Sequence, residues 1–279
     1  LPYADNLANL VVVQCELPEA AAEIVRVLAP GGVAVVDEAC GKKWLDRIPY
    51  PTSRAGDGLV KFTKPWPAEI DQWTHYLHGP SNNAVARDER IAPPRSMKWK
   101  AGPMWSRSHE FASSVQTMVS AGGRLIGIYD EGIIGQPRGV PPFWTLIARD
   151  AFSGVKLWRK PLPSWAWHQL RFRSGPPQLP RLLVASEDRV YAPLGLSEPV
   201  SAVDALTGKT IQTFAETAGA EEIILCDGIL LVLKGAPVAE HAMQHALFRR
   251  GYQIPNRKAI VAVDTGTGKT LWQWSDSSA

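Results

Sequence analysis

One signature, A-x-D-x-x-[ST]-G, occurs three times in register: Ala148-x-Asp150-x-x-Ser153-Gly154, Ala202-x-Asp204-x-x-Thr207-Gly208 and Ala262-x-Asp264-x-x-Thr267-Gly268. A repeat of fixed period confines a chain to stacked units, each burying its apolar face against the next. The glycines lie 54 and 60 residues apart, slightly above the ~40–50 residues of a four-stranded propeller blade. The signature is that of a tight hairpin: Asp caps the turn, Ser or Thr does so more weakly, and Gly supplies positive φ. After each glycine comes Val155-Lys156-Leu157-Trp158, Lys209-Thr210-Ile211-Gln212 or Lys269-Thr270-Leu271-Trp272. The expected role of Asp150, Gly154, Trp158, Asp204, Gly208, Asp264, Gly268 and Trp272 is therefore structural. The small Ala lets a ring approach, and the Trp is a plate to bury between sheets. Trp, at 11, outnumbers Phe at 7 and Tyr at 6, as a repeated demand for indole would produce.

Upstream of each signature lie two more strand candidates, which together make three units of four strands. They are Val115 to Ser120 with Leu125 to Tyr129, Leu182 to Ala185 with Val190 to Leu194, and Ile223 to Cys226 with Ile229 to Leu233. Hydrophobic residues at 45% and charged residues at 20% exclude disorder. A formal charge of +3 gives no basis for nucleic-acid binding, which needs clustered Lys and Arg. The longest apolar runs, such as Leu10 to Val13, fall far short of the ~18 residues of a membrane span. Cys15, Cys40 and Cys226 are too few and too scattered for a disulfide framework or a zinc knuckle.

The first 40 residues follow a different grammar. A buried strand, Leu10 to Val13, precedes a helix from about Pro18 to Leu28 with Ala22, Val25 and either Ala29 or Leu28 along one face. Ala29-Pro30-Gly31-Gly32 then forms a stop and turn before a second strand, Val33 to Val36. Strand, helix, strand implies a parallel pair with one crossover. From 41 to 94 the prolines, including Pro49, Pro51, Pro65 and Pro67, exclude long helices and mark a junction. The expected organisation is 1–40 α/β, 41–94 junction and 95–279 repeat blades. The fold class is mainly β, a partial propeller of about three blades preceded by a partial Rossmann-like segment. The first residues read as mid-domain sequence, so the expectation is a fragment of a longer protein that continues past Ala279.

The repeat, with Arg189-Val190-Tyr191 as an inner strand, resembles the pyrroloquinoline-quinone (PQQ)-like β-propeller repeat of quinoprotein dehydrogenases and BamB-type lipoproteins. In that family Ser96-Met97-Lys98-Trp99-Lys100 would be the outer strand that closes the ring. Leu1-Pro2-Tyr3-Ala4-Asp5-Asn6 and Arg26-Val27-Leu28-Ala29-Pro30-Gly31-Gly32 resemble the C-terminal half of a class I S-adenosylmethionine (SAM)-dependent methyltransferase. That resemblance implies SAM for an intact first domain, held by residues upstream of Leu1. The stretch Trp66-Pro67-x-Glu69-Ile70-Asp71-x-Trp73-Thr74-His75-Tyr76-Leu77-His78 resembles large planctomycete-type PQQ-like repeat proteins, which implies an extracytoplasmic location. For PQQ itself, quinoprotein dehydrogenases would show a Cys-Cys pair and calcium ligands. This chain has no Cys-Cys, and Asn82-Asn83 lies in the junction.

Candidate ligand-binding residues are Arg107, His109, His168 and Arg173, in two loops expected to lead into innermost strands facing a central channel. His75 with His78, and His241 with His245 at i, i+4 on an expected helix from Val238 to Arg249, have spacings compatible with a metal. The first pair has no Cys nearby and only Asp71 as a carboxylate, and His241-Ala242 departs from H-E-x-x-H, so no metal is expected. The insertion carrying Phe248, Arg249, Arg250 and Tyr252 reads as an interaction surface. Asp130-Glu131 reads as a solvated turn. No catalytic residue can be assigned from spacing alone. The functional expectation is a scaffold for a protein or a small, carbohydrate-like ligand. The alternatives are methyl transfer by the intact protein and PQQ-dependent oxidation.

Overall fold

The computed structural model describes residues 1–15, 20–91, 93, 96–103, 114–133, 142–163, 165, 179–195, 197–235 and 258–276. The chain divides into two compact units. One holds Leu1–Asp71, Arg87–Lys100 and Ala151–Gly154; the other holds Gln72–Ala86, Ala101–Asp150 and Val155–Ala279.

In the first unit, β1 (Ala8–Val13) and β2 (Leu28–Asp37) run parallel, joined by α1 (Ala20–Val27). A second pair, β3 (Thr52–Gly56) and β4 (Leu59–Thr63), adds to β2 in the sheet order β1-β2-β4-β3, with β4 antiparallel to both neighbours. These two strands lie within the stretch expected as a junction. Their turn is Asp57-Gly58, with Gly58 at φ +69°, which suits a two-residue hairpin. Pro51 and Pro65 flank the pair without interrupting it.

Three details of the expected α/β segment change. The buried face of α1 carries Ala20, Ala21, Ile24 and Val27, while Ala22 is exposed and Val25 is half-buried. The expected turn at residues 29–32 lies inside β2 as a bulge: Ala8 pairs with Leu28 but Leu10 with Val33, and Gly31 takes φ +77°. The expected buried strand is an edge strand whose Leu10 and Val12 are exposed, leaving Val13 in the core. That core joins Ile24, Leu28, Ala34, Val36, Trp44 and Phe62.

The residues quoted for the methyltransferase resemblance meet in space. Arg26 forms an ion pair with Asp5, and Asn6 N–H donates to the Arg26 carbonyl at 2.8 Å. Arg26 also pairs with Glu23 at 2.5 Å, and its hydrogen bond to that carboxylate holds the Glu23 pKa down to about 2. The Lys64 ammonium spends three donors on Asn6 Oδ1 (2.6 Å), Val25 O (2.7 Å) and Leu28 O (2.9 Å), so it pins the helix end to the motif.

The second unit contains the three four-stranded antiparallel sheets expected from the repeat, each in simple up-and-down order. The first is β5 (Val115–Ala121), β6 (Arg124–Asp130), β7 (Trp144–Asp150) and β8 (Lys156–Pro161). The second is β9 (Val184–Ala185), β10 (Arg189–Pro193), β11 (Val200–Asp204) and β12 (Thr210–Thr213). The third is β13 (Ala220–Cys226), β14 (Ile229–Lys234), β15 (Ala259–Asp264) and β16 (Thr270–Ser275). A 3-10 turn at Leu179–Leu182 cuts the first strand of the second sheet to two residues. Residues 96–100, expected as a closing strand, form none.

The register explains the alanine of the signature. Ala148 pairs across the sheet with Trp158, Ala202 with Gln212 and Ala262 with Trp272, and one residue later each ladder shifts. All three alanines are fully buried. A larger side chain there would meet its cross-strand partner, because residues opposite one another in a ladder have Cβ atoms only ~5 Å apart. One apolar core runs through the three sheets, with Ile126, Ile128, Leu146, Leu183, Val190, Val203, Leu230 and Val261 among its members.

Candidate functional site

Each hairpin is closed by its own residues. Asp204 Oδ1 accepts from Leu206 N (3.1 Å), Thr207 N (2.7 Å) and Thr207 Oγ1 (2.7 Å), and Gly208 N donates to Asp204 O at 2.9 Å. Asp264 repeats the pattern with Thr267 N (2.7 Å), Thr267 Oγ1 (2.8 Å) and Gly268 N. Bonds to the ionised form lower both carboxyl pKa values, chiefly the Thr207 hydroxyl for Asp204 and the Thr267 amide for Asp264. Asp150 N donates to Val155 O at 2.9 Å in the equivalent turn. Gly154, Gly208 and Gly268 all adopt φ +73°, a conformation that glycine takes without strain.

A side chain seats on each of these glycines. The Trp158 ring lies against Gly208, where an added Cβ would come within 2.7 Å of Trp158 Cδ2, and its Nε1 donates to Ala205 O at 2.9 Å. The Trp99 ring lies against Gly154 in the same way, with Nε1 donating to Ala151 O at 3.1 Å. Trp99 thus supplies the plate although it sits on no strand. At the third hairpin Gln212 covers Gly268, and Arg189 Nη1 donates to Thr265 O at 3.0 Å. Ala151, Ala205 and Thr265 each follow the signature Asp, so Arg189 replaces the indole donor where tryptophan gives way to glutamine.

A second constellation gathers at the first strands. The hairpin of residues 73–78 closes through Thr74 N to His78 O (2.8 Å) and His75 N to His78 O (3.2 Å), with His78 at φ +73°. Near it, Arg181 Nη1 pairs with Glu222 Oε1 at 2.5 Å, Asn82 Nδ2 lies 3.5 Å from the same oxygen, and the guanidinium stands 5.8 Å from the Tyr76 ring centroid. Tyr76 is exposed and the ion pair half-buried, so the group offers an aromatic edge with donors and acceptors to a polar ligand. The two charges compensate each other, which suits hydrogen bonding better than proton transfer.

His75 is 5% exposed, and both ring nitrogens are engaged. Nε2 accepts from Leu225 N at 3.0 Å, and Nδ1 lies 2.8 Å from Thr74 Oγ1. Burial lowers its pKa to about 4. Asp130, expected in a solvated turn, is instead buried and accepts from Gly132 N and Phe143 N, both at 2.9 Å. Its neighbour Glu131 pairs with Arg159 at 2.7 Å. The carboxylate thereby pins both ends of the connection between β6 and β7, a role invisible without the partner 13 residues on. No group of three or more His, Cys, Asp or Glu with metal-binding geometry occurs among the described residues. Arg107, His109, His168 and Arg173 lie outside the described residues, as do His241, His245, Phe248, Arg249, Arg250 and Tyr252.

No family model matches this chain, and no curated protein matches it. Among solved structures it is similar to the quinohemoprotein alcohol dehydrogenase from Comamonas testosteroni, at 18% identity and TM-score 0.41, over 75% of this chain and 28% of that one. A europium-containing methanol dehydrogenase is similar at 13% identity and TM-score 0.45, over 75% of this chain and 32% of that one. BamB from Moraxella catarrhalis is similar at 14% identity and TM-score 0.23, over 58% of each chain. The chain thus spans less than a third of the length of these dehydrogenases. Its own sheets place it in the mainly β class, as consecutive four-stranded units sharing one hairpin signature. No helix among the described residues is long and apolar enough to cross a membrane.

Proposed function

We propose that this chain is a PQQ-like β-propeller repeat module that acts as a binding scaffold for a protein or a small, carbohydrate-like ligand. The observation that carries this reading is the recurrent seating of a planar side chain on the glycine of a signature hairpin, with a donor to the carbonyl after Asp. Such a device holds sheets side by side as a rigid frame, and function in such frames resides in loops. Arg107, His109, His168 and Arg173 remain the proposed ligand-binding residues, and an extracytoplasmic location remains part of the proposal by resemblance. Replacing all four by alanine in the full-length protein should weaken capture of its ligand at least about tenfold with the melting temperature unchanged. Undiminished capture would remove those loops from the site. Addition of PQQ with calcium should leave the melting temperature unchanged; a clear rise would favour a quinone-dependent oxidoreductase instead.

A second reading concerns the first unit, as the C-terminal half of a methyltransferase-like domain. The parallel β1–β2 pair, the crossing helix and the Asp5–Arg26 and Asn6–Arg26 contacts support it. An antiparallel addition such as β4–β3 is common at the margin of parallel sheets, and the exposed Leu10 and Val12 suit a β1 edge that another strand would cover. Isothermal titration of the full-length protein with SAM tests it: saturable binding supports the reading, and its absence leaves the segment a spacer.

A further inference from the structure

We propose that residues 72–75 form a latch across the first strands of three successive sheets, and that its last link, to β13, opens when His75 takes up a proton. Residues 72 and 73 bond the first sheet, 74 the second and 75 the third. Gln72 Oε1 accepts from Gly122 N at 2.8 Å, just past β5. Trp73 N donates to Ser120 Oγ at 3.0 Å, and Trp73 O accepts from Ser120 N at 2.7 Å. Thr74 O accepts from Ala185 N in β9 at 3.0 Å, and His75 Nε2 accepts from Leu225 N in β13 at 3.0 Å.

The links differ in chemistry. Those to β5 and β9 use amide and hydroxyl groups, which do not titrate in the ordinary range. The link to β13 uses a basic nitrogen. With Nε2 accepting, the neutral ring carries its proton on Nδ1, which donates to Thr74 Oγ1, and that hydroxyl in turn donates to the His78 carbonyl at 3.3 Å. Protonation of Nε2 would set an N–H against the Leu225 N–H, so the bond survives only with the neutral ring.

Among the described residues, the ionisable groups on the strands that the segment bonds are paired with partners other than His75. β5 and β9 carry no titratable side chain. On β13, Glu221 is paired with Lys258, Glu222 with Arg181, and Cys226 donates to Asp227. Burial is the main cause of the lowered His75 value; the Leu225 backbone works against it, and His78 on the same hairpin adds to it. The sign follows: an unfolded histidine titrates near 6.5, whereas the buried ring titrates at about 4. In that window the unfolded chain holds a proton that the folded chain lacks. The contribution is therefore full above the unfolded value and falls as pH drops from 6.5 to about 4.

The test is an amide titration by NMR from about pH 7.5 to 3.5 on the full chain and on His75→Gln. The Leu225 amide should follow the His75 ring with a midpoint of about 4, while the Ser120 and Ala185 amides stay unmoved. In His75→Gln, which offers an acceptor that does not titrate, Leu225 should lose that dependence. A flat Leu225 amide in the unaltered chain, or the same titration in His75→Gln, would overturn the latch. Should the variant not fold, a His75 ring midpoint near its ordinary 6.5 in the unaltered chain would overturn it equally.

Discussion

Trp158→Ala should destabilise the second unit by about 3–5 kcal/mol, the range for removing a buried aromatic ring from a core. The ring is 9% exposed, spans from β8 of the first sheet to the hairpin of the second, and donates to Ala205 O. Its loss opens a cavity beside Gly208 and leaves a buried carbonyl without its donor. Trp158→Phe retains most of the apolar surface but not the donor, so it should cost less, about 1–2 kcal/mol. Urea unfolding monitored by far-UV circular dichroism checks both. A cost below about 1 kcal/mol for Trp158→Ala would mean that the ring does not join the two sheets.

The chain of residues 1–279 should self-associate through β16. All six residues of that strand are exposed, and Trp272 and Trp274, which alternate onto one face, are 49% and 52% exposed, against 9% for Trp158 at the matching repeat position. Among the described residues no strand pairs with the outer edge of β16, and such an edge bearing two indoles is a template for further pairing. The double substitution Trp272→Glu, Trp274→Glu should therefore shift sedimentation from aggregate toward monomer. Charge on that face blocks stacking, and Ala262, small and fully buried opposite position 272, accepts the change of partner without a clash. A soluble monomer with one sharp thermal transition from the unaltered chain would contradict this reading of the face.

What the sequence made legible was local. Asp204, Thr207 and Gly208 close their hairpin within five residues, so composition and spacing suffice to read the turn, and the small Ala202 foretells the side chain opposite. The three sheets follow from that repeat. What was missed depends on distant partners. Trp99 sits on no strand, yet it covers a glycine 55 residues away. Arg189, distant in the chain, donates to the carbonyl that an indole reaches in the other two hairpins, where Gln212 stands at the tryptophan position. Nothing beside His75 in the chain announces its burial, which arises when strands near residues 120, 185 and 225 converge on one short segment.

The β3–β4 hairpin was obscured for a different reason. The prolines that read as breakers lie at its margins, where they bound strands, and the Asp57-Gly58 turn was the local signal that could have revealed it. On α1, periodicity grouped Ala22 and Val25 along one face, but the buried side of the helix carries Ala20, Ala21, Ile24 and Val27.

A double-mutant cycle between Trp158 and Gly208 probes most directly whether ring-on-glycine seating joins the sheets. Alone, Gly208→Ala should cost about 2–4 kcal/mol, because the new Cβ meets the ring and the backbone is held at positive φ. With Trp158→Ala already in place only the backbone strain remains, so the same change should cost about 1 kcal/mol. Equal costs in both backgrounds, within about 0.5 kcal/mol, would show that ring and glycine do not meet, and the proposed frame would lose its central joint.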